Sequence, residues 1–422
     1  MIKMPRGTKD ILPDESFKWQ YVEDVVRGVC RDYNFKEIRF PTFEHTELFQ
    51  RGVGDTTDVV QKEMYTFSDK DNRSLTLRPE GTAGVMRSFV EHGLYGGALP
   101  LKLYYLISCF RYEKPQAGRL REFHQFGVEL LGSPSPASDA EVISLANSIF
   151  SRLGVKNLHL IINSLGCRTC RKEHSKALVE YFTAHIDGLC DTCRERLSKN
   201  PMRIIDCKNE SCKEIAAGAP SILDYICGEC SEHFEETKRH LTAAGIKFTV
   251  DPTIVRGLDY YSKTVFEFVS GDIGAQSTVC GGGRYDYLAR ELGDIDCAGL
   301  GFAMGIERLL LVMEAQGLFM GENKPCDVYI ASMGSEAGVY ASGLAARLRG
   351  AGVSVETDLM KKSLKAQMKY ADRLGARFSI VIGESEMESG RAQLKDMKKG
   401  EKTDIDLSDT AFAAALIKQT NI

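Results

Sequence analysis

The chain has 422 residues, 43% hydrophobic and 27% charged, which is enough for two or three domains with sizeable cores. Its 54 basic and 58 acidic side chains leave a net charge of −4, so any contact with nucleic acid must come from local patches rather than from the overall field. No stretch approaches the ~20 apolar residues of a membrane span. The first residues lack the apolar core of a secretory signal, and an odd count of 13 cysteines reads as thiols in a reducing cytoplasm.

Residues 4–13 carry too many helix breakers to be helical. Apolar residues then recur every four positions at Phe17, Tyr21, Val25, Val29 and Tyr33, predicting an amphipathic helix over 17–33. A strand is expected over 35–43, with Pro41 restricting it to an edge or an interface. A shorter strand over 75–82 ends in a Pro–Glu–Gly turn, with Glu80 and Thr82 beside it. Two runs rich in aromatic and β-branched residues follow, 103–110 and 121–131, around a loop with Pro115 and Gly118. That loop exceeds the roughly two to five residues of an ordinary hairpin, which marks it as functional or disordered.

Strand alternation places Phe123, Gln125, Gly127 and Glu129 on one face of the second run and His124, Phe126, Val128 and Leu130 on the other. The latter is an ordinary core face. The former offers an amide and a carboxylate across a gap that only glycine leaves open. Arg111 and Glu113 stand at the end of the first run, with Arg119 and Arg121 across the loop. The pattern reads as the floor of a polar-substrate site with arginines aimed at phosphate.

A helix is expected over 139–153 and a strand over 158–163. Eight of the 13 cysteines then fall between Cys167 and Cys230 in helical surroundings, suggesting an inserted α-rich unit. Strands are expected over 248–256 and 264–269, a glycine run opening into a helix over 280–293, and a strand turning into a helix over 299–313. Residues 317–325 read as a linker. From Cys326 onward strands and helices alternate, implying a separate α/β domain of ~100 residues. Within it Lys362, Lys365, Lys369 and Arg373 recur at helical spacing, opposite Leu364, Met368, Ala371 and Leu374. No internal repeat is apparent.

Several nucleotide and metal motifs are excluded. The segment GLGFAMG spaces its glycines as G-x-G-x-x-x-G rather than G-x-G-x-x-G, no G-x-x-x-x-G-K-[ST] occurs, and none of the eight histidines forms H-E-x-x-H. Arginine is the alternative means of holding phosphate. Arg111, Arg256 and Arg308 each lie in a glycine- or tyrosine-marked turn, and planar guanidinium groups grip phosphate through paired hydrogen bonds.

The ordered set PRGTKDILP, LRPEGT (77–82), FRYEKPQAGRLREFHQFGVE (110–129), RGLDYY (256–261), GGGRYD (281–286) and GFAMGIERL (301–309) resembles the histidyl-tRNA synthetases. FRYE…FHQ is similar to motif 2 of class II synthetases and GFAMGIER to motif 3, while RGLDYY resembles the histidine-specific signature. The resemblance covers essentially the whole chain. It implies an α+β catalytic domain over 1–325 built on a mostly antiparallel sheet. It further implies an α-rich insertion over 166–245 and a C-terminal α/β anticodon-binding domain over 326–422. The implied reaction is formation of histidyl-adenylate from L-histidine and ATP with Mg2+, then transfer to the 3' end of tRNA(His), in a cytoplasmic homodimer without a membrane segment.

The resemblance also implies residue roles. Glu80, Gly81 and Thr82 would hold the substrate α-ammonium region, and Gln125, Glu129, Tyr260 and Tyr261 would line the histidine pocket. Arg111 would contact the ATP α-phosphate and Glu113 would help place the nucleotide. Arg256 would sit over the α-phosphate, and Arg308 would bind the far phosphates or the adenine face. Dimerisation would involve the stretch 38–41 and the helix after it, and the insertion would face the tRNA acceptor arm. A synthetase-like regulatory subunit of ATP phosphoribosyltransferase is the alternative, although such relatives typically lack the C-terminal domain.

The cysteines fall into the pairs Cys167/Cys170, Cys190/Cys193, Cys207/Cys212 and Cys227/Cys230. C-x-x-C pairs fit one edge of a tetrahedral site, so four pairs could build two structural Zn2+ sites. Free thiols buried as small hydrophobes fit the same pattern.

Overall fold

The long hairpin forms the middle of a large sheet. In a computed structural model that describes residues 1–54, 57–274 and 278–419, the chain divides into two units, Met1–Gly321 and Glu322–Ile422. The strands of the first unit are β1 (Lys36–Glu37), β2 (Phe43–His45), β3 (Tyr65–Ser68), β4 (Ser74–Leu77), β5 (Leu101–Phe110), β6 (Glu122–Leu131), β7 (Leu158–Ser164), β8 (Thr249–Val250), β9 (Ser262–Ser270), β10 (Thr278–Arg284) and β11 (Gly299–Gly305). Its helices are α1 (Pro13–Asp32), α2 (Thr46–Val53), α3 (Thr82–Glu91), α4 (Pro136–Arg152), α5 (Arg168–Ala184), α6 (Asp191–Lys199), α7 (Glu210–Ala216), α8 (Gly228–Ala243), α9 (Leu288–Gly293) and α10 (Ile306–Ala315).

Eight strands form one sheet in the order β1-β5-β6-β11-β10-β9-β7-β8. The two edge pairings, β1 with β5 and β7 with β8, are parallel, and the five between them are antiparallel. The expected antiparallel sheet is therefore present. Helices α1, α4 and α10 bury Val22, Val26, Val29, Ile143, Ile149, Leu309 and Val312 against Phe126, Val128 and Leu130 of β6 and Leu300, Phe302 and Met304 of β11. Each such aliphatic side chain contributes ~1.5–3 kcal/mol relative to exposure. Period-two alternation thus sends one face of β6 into this core and leaves the other for the site.

Three local expectations are corrected. The strand expected over 35–43 is only β1, followed by a break and then β2 in a separate three-stranded sheet ordered β2-β4-β3. Pro41, which has no N–H to donate, lies in the break. The glycines 281–283 lie within β10, paired on both sides with β9 and β11, and the helix expected over 280–293 is confined to α9, Leu288–Gly293. The strand expected over 248–256 reduces to β8, and residues 251–261 run without regular structure.

Asp139 anchors α4 to the sheet. Its carboxylate meets the Arg284 guanidinium of β10 at 2.6 Å, with both side chains fully buried. Arg284 also donates to the carbonyls of Ser133 and Ser135 at 3.0 and 2.7 Å, so the buried charge has its hydrogen-bond partners.

The second unit contains β12 (Val328–Ser332), α11 (Ser335–Gly350), β13 (Val355–Thr357), α12 (Leu364–Arg373), β14 (Phe378–Ile382), α13 (Glu384–Ser389), β15 (Arg391–Asp396), β16 (Lys402–Asp406) and α14 (Thr410–Gln419). Its sheet runs β13-β12-β14-β15-β16, parallel through β13, β12 and β14 and antiparallel beyond. Val328 and Ile330 face Leu344 and Leu348 of α11, while Tyr329 and Ala331 face Ala371 and Met368 of α12. Lys362, Lys365, Lys369 and Arg373 are exposed.

Candidate active site

On the face of the large sheet opposite α1 and α4, a cavity of about 200 Å³ is lined by residues from several sequence-distant segments. Glycines and small residues of β10 and β11, including Gly281, Gly301 and Ala303, form part of its floor. At Gly281 a Cβ would stand 2.6 Å from Arg256 Nη1, so the guanidinium lies directly on the sheet. At Gly127 the open gap expected from sequence is filled instead. A Cβ there would meet the Tyr105 ring at 2.3 Å, and Tyr105 is the residue paired opposite Gly127 across the hairpin.

At the enclosed end, Glu80, Thr82, Gln125, Tyr260, Tyr261 and Tyr285 line the cavity. Glu80 closes the turn before α3. Its two carboxylate oxygens accept the backbone N–H groups of Thr82 and Ala83 at 2.7 and 2.8 Å, capping the helix where its positive dipole end lies. Burial raises its carboxyl pKa, opposed by those amides and the charge of Arg111. Gly81 does not line the cavity. It packs on Tyr105, whose ring would lie 2.4 Å from a Cβ at that position.

Glu129 lies behind the lining, 1% exposed. Thr82 Oγ1 and Tyr105 Oη donate to its Oε1 at 2.8 and 3.1 Å, and Tyr285 Oη donates to Oε2. Burial pushes its carboxyl up to about 8 even against these donors. Tyr260 and Tyr261 meet at 4.7 Å between centroids with their planes 53° apart, and Tyr260 meets Tyr285 edge-on at 5.6 Å. Gln125 accepts a contact from the Cys109 thiol at 3.3 Å.

At the other end, Arg111, Glu113, Arg119, Arg256 and Arg308 converge. Arg111 Nε donates to the Pro79 carbonyl at 2.9 Å, and its guanidinium lies 5.5 Å from the Phe123 ring. Glu113 pairs with Arg119 at 2.9 Å. Arg308 holds the hairpin loop, donating from Nε to the Gly118 carbonyl at 3.0 Å and from Nη1 to the Thr278 carbonyl at 2.8 Å. Arg256 pairs with Glu267, which Thr278 Oγ1 also fixes at 2.8 Å. Burial works against the Arg256 charge, but the Glu267 carboxylate outweighs it and raises the pKa. Arg256 Nε is buried and has no hydrogen-bond partner.

The structure thus gathers Glu80, Thr82, Gln125, Tyr260, Tyr261, Arg111, Glu113, Arg256 and Arg308 around one cavity, with Glu129 one layer behind and Gly81 outside it. Sequence reasoning did not assign Tyr105, Tyr285, Phe123, Glu307 or Thr278. Tyr105 sits in an apolar strand run where tyrosine is ordinary, so only the register of β5 on β6 discloses its role. His124 stands on the core face, as expected, at its margin, where it binds Glu307 of α10 through Nδ1 at 2.9 Å and meets Trp19 of α1 edge-on at 4.9 Å.

Away from the cavity, the eight paired cysteines form two groups of four. One is Cys167, Cys170, Cys227 and Cys230; the other is Cys190, Cys193, Cys207 and Cys212. Within each group all sulfurs lie within 4.8 Å of one another, and all are free thiols. The first group joins the N-termini of α5 and α8, and the second joins α6 to α7.

A family model described as histidyl-tRNA synthetase matches residues 7–309, and one described as an anticodon binding domain matches residues 327–415. The chain is 56% identical over 407 residues to the histidine--tRNA ligase of Acetivibrio thermocellus, covering 96% of this chain and 98% of that protein. It is 56% identical over 405 residues to the histidine--tRNA ligase of Caldanaerobacter subterraneus subsp. tengcongensis, covering 96% and 97%. Among solved structures it is similar to apo S. aureus histidyl-tRNA synthetase, with a TM-score of 0.83 and 42% identity over 99% of both chains. A structure described as an ATP phosphoribosyltransferase regulatory subunit/histidyl-tRNA synthetase from Bacillus halodurans shares the fold, at TM-score 0.60 and 24% identity over 88% of this chain and 96% of that one.

Proposed function

The chain belongs to the histidyl-tRNA synthetase family, and from that premise we propose how the cavity on its large sheet carries out the reaction. The enzyme joins L-histidine to ATP, giving histidyl-adenylate and diphosphate, and passes the histidyl group to the 3' end of tRNA(His). The regulatory-subunit alternative is not favoured, because relatives more than 50% identical across both units are histidine--tRNA ligases.

Histidine occupies the enclosed end. Its α-ammonium meets Glu80 and Thr82, and its imidazole lies among Gln125, Tyr260 and Tyr261 with Glu129 beneath. A pocket that hydrogen-bonds imidazole leaves its own polar groups unpaired with an apolar impostor, which is how such sites discriminate by ~10⁴ or more without editing. ATP occupies the arginine end. Arg111 and Arg256 flank the α-phosphate, Glu113 helps place the nucleotide, and Arg308 takes the far phosphates or the adenine face. Mg2+ arriving with ATP would neutralise phosphate charge, and Glu113, paired with Arg119, is the carboxylate of the hairpin loop at that end. The histidine carboxylate oxygen attacks the α-phosphorus while the bond to the β-phosphate oxygen breaks. The protein supplies alignment and charge stabilisation, with no covalent nucleophile.

The observation that carries this reading is the convergence of Arg111, Arg119, Arg256 and Arg308 on the same cavity as Tyr260 and Tyr261. Histidine-dependent exchange of diphosphate into ATP tests it. Arg256→Ala is expected to fold normally by circular dichroism and lose ~10²–10³-fold in exchange, the usual scale for removing one charge-stabilising group. Near-parental exchange would make Arg256 structural.

Partners follow the same reading. The exposed basic face of α12 in the second unit is assigned to the anticodon arm, and the helical insertion to the acceptor arm. A homodimer is proposed around 38–41, supported by the exposed Phe43 and Phe67 rings, which meet edge-on on the small sheet beside that stretch. A cytoplasmic location is proposed from the free thiols. Among the described residues no helix is long and apolar enough to cross a membrane.

The two cysteine groups are read as structural Zn2+ sites. Their donor chemistry fits: Cys167 and Cys170 sulfurs are 3.5 Å apart and those of Cys190 and Cys207 are 3.9 Å apart. The edge of a tetrahedron with ~2.3 Å bonds is ~3.8 Å. The amides of Cys227 and Cys190 donate to the sulfurs of Cys170 and Cys212 at 3.0 and 3.2 Å. Zinc there would tie α5 to α8 and α6 to α7 and take no part in the chemistry.

A further inference from the structure

The loop 256–261 carries Arg256, Tyr260 and Tyr261 yet has no regular structure of its own. It is held from behind by the insertion. Arg171, the residue after Cys170 on α5, donates from Nη1 to the carbonyls of Asp259 and Tyr261 at 3.2 and 3.0 Å. Asn200 Nδ2 donates to Asp259 Oδ1 at 3.0 Å. Arg203 donates to the Gly257 carbonyl and stands 3.8 Å from the Asp259 carboxylate. The residual space between insertion and loop is about 10 Å³, room for at most a single water.

Asn200 and Arg203 share one origin. Both lie in the stretch between Cys193 and Cys207, the chain that the second cysteine group closes on itself, while Arg171 adjoins the first group. The helices bordering that stretch, α6 and α7, have nine and seven residues. Helices shorter than ~12–15 residues are marginal in water unless something fixes their ends. The grip of Asn200 and Arg203 on the loop therefore depends on whatever holds the four sulfurs of the second group together, while Arg171 takes its place from the α5 N-terminus that the first group ties to α8.

We propose that the two four-cysteine groups, when they hold zinc, act as clamps that set the loop 256–261 in its histidine-binding position through Arg171, Asn200 and Arg203, so that metal occupancy governs histidine affinity. The proposal rests on the zinc reading above and adds that the metal controls the site at a distance. Arg171, Asn200 and Arg203 are positioning residues: they bind the back of the loop and touch neither substrate.

The test uses the full chain produced with zinc and counts metal by plasma emission spectrometry. L-Histidine affinity is measured by calorimetry without ATP, and hydrogen exchange is followed in peptides spanning 256–261. Two zinc ions per chain are expected. Chelator-stripped protein should keep its sheet signal in circular dichroism, exchange faster at 256–261, and bind histidine roughly tenfold or more weakly, the scale of one lost hydrogen bond to a charged group. Added zinc should restore both. The double variant Asn200→Ala with Arg203→Gln should retain two zinc ions yet show the same weakening, as a raised KM for histidine with a smaller change in kcat. Zinc bound but histidine affinity unchanged on stripping would overturn the clamp and leave the zinc sites standing. No zinc in any preparation would overturn both. Parental affinity in the double variant would remove Asn200 and Arg203 from the role.

Discussion

Glu129 is a buried acid that shapes the cavity from behind. Desolvation holds its carboxyl at about 8, against an ordinary value of 4.5, while Tyr285, Thr82 and Tyr105 favour the ionised form less strongly. An acid whose pKa is raised by folding favours the folded state while protonated. Its contribution is complete below about pH 4.5 and is lost as pH rises toward about 8. Glu129→Gln is therefore expected to flatten the decline in stability between those limits, measured as urea midpoints across pH, and to weaken histidine binding. An unchanged pH slope would show that Glu129 ionises freely in the native protein. Glu129 was legible in sequence because a carboxylate on a strand face beside glycine is conspicuous. Its partners Tyr105 and Tyr285 were not, because tyrosine in a β run is unremarkable until pairing sets which rings converge.

At the scale of elements, strand alternation and helical period were strong signals where one face is buried. They located β5, β6, α1 and the elements of the second unit. They failed where the chain is punctuated or glycine-rich: Pro41 splits an expected strand, and glycines 281–283 form a strand because β9 and β11 pair with them on both sides. In α12, Gln367 is buried and bonds both the amide and the carbonyl of Ser332 at 2.9 Å, fixing the rotation that turns Lys365 and Lys369 outward. Reversing both charges, Lys365→Glu with Lys369→Glu, is expected to weaken tRNA binding and reduce the slope of log affinity against log salt by about 1–2. Equal slopes for variant and parent would make the stripe a solvated face only.

At the scale of the whole molecule, the net charge of −4 gives no general attraction for RNA, so recognition falls to local faces such as that of α12. The proposed dimer makes a further claim. Phe43 and Phe67 are 51% and 44% exposed, a cost in a monomer that a two-fold contact would remove. Sedimentation at micromolar concentration is expected to give twice the chain mass of 46.8 kDa. Phe43→Asp with Phe67→Asp is expected to shift it toward a single chain. A parent that sediments as a monomer would refute the interface.

Sequence by itself determined the family, the two-part organisation and most groups of the cavity, because their chemistry is carried by residue types at fixed local spacings. Arginines beside glycine turns, a carboxylate on a strand face and paired cysteines are visible one segment at a time. Only tertiary structure decided which of them meet. Register placed Tyr105 over Gly127, pairing brought β11 beside β6, and folding of the insertion set Arg171, Asn200 and Arg203 behind the loop 256–261. These contacts join segments far apart in the chain, and local propensity carries no information about them.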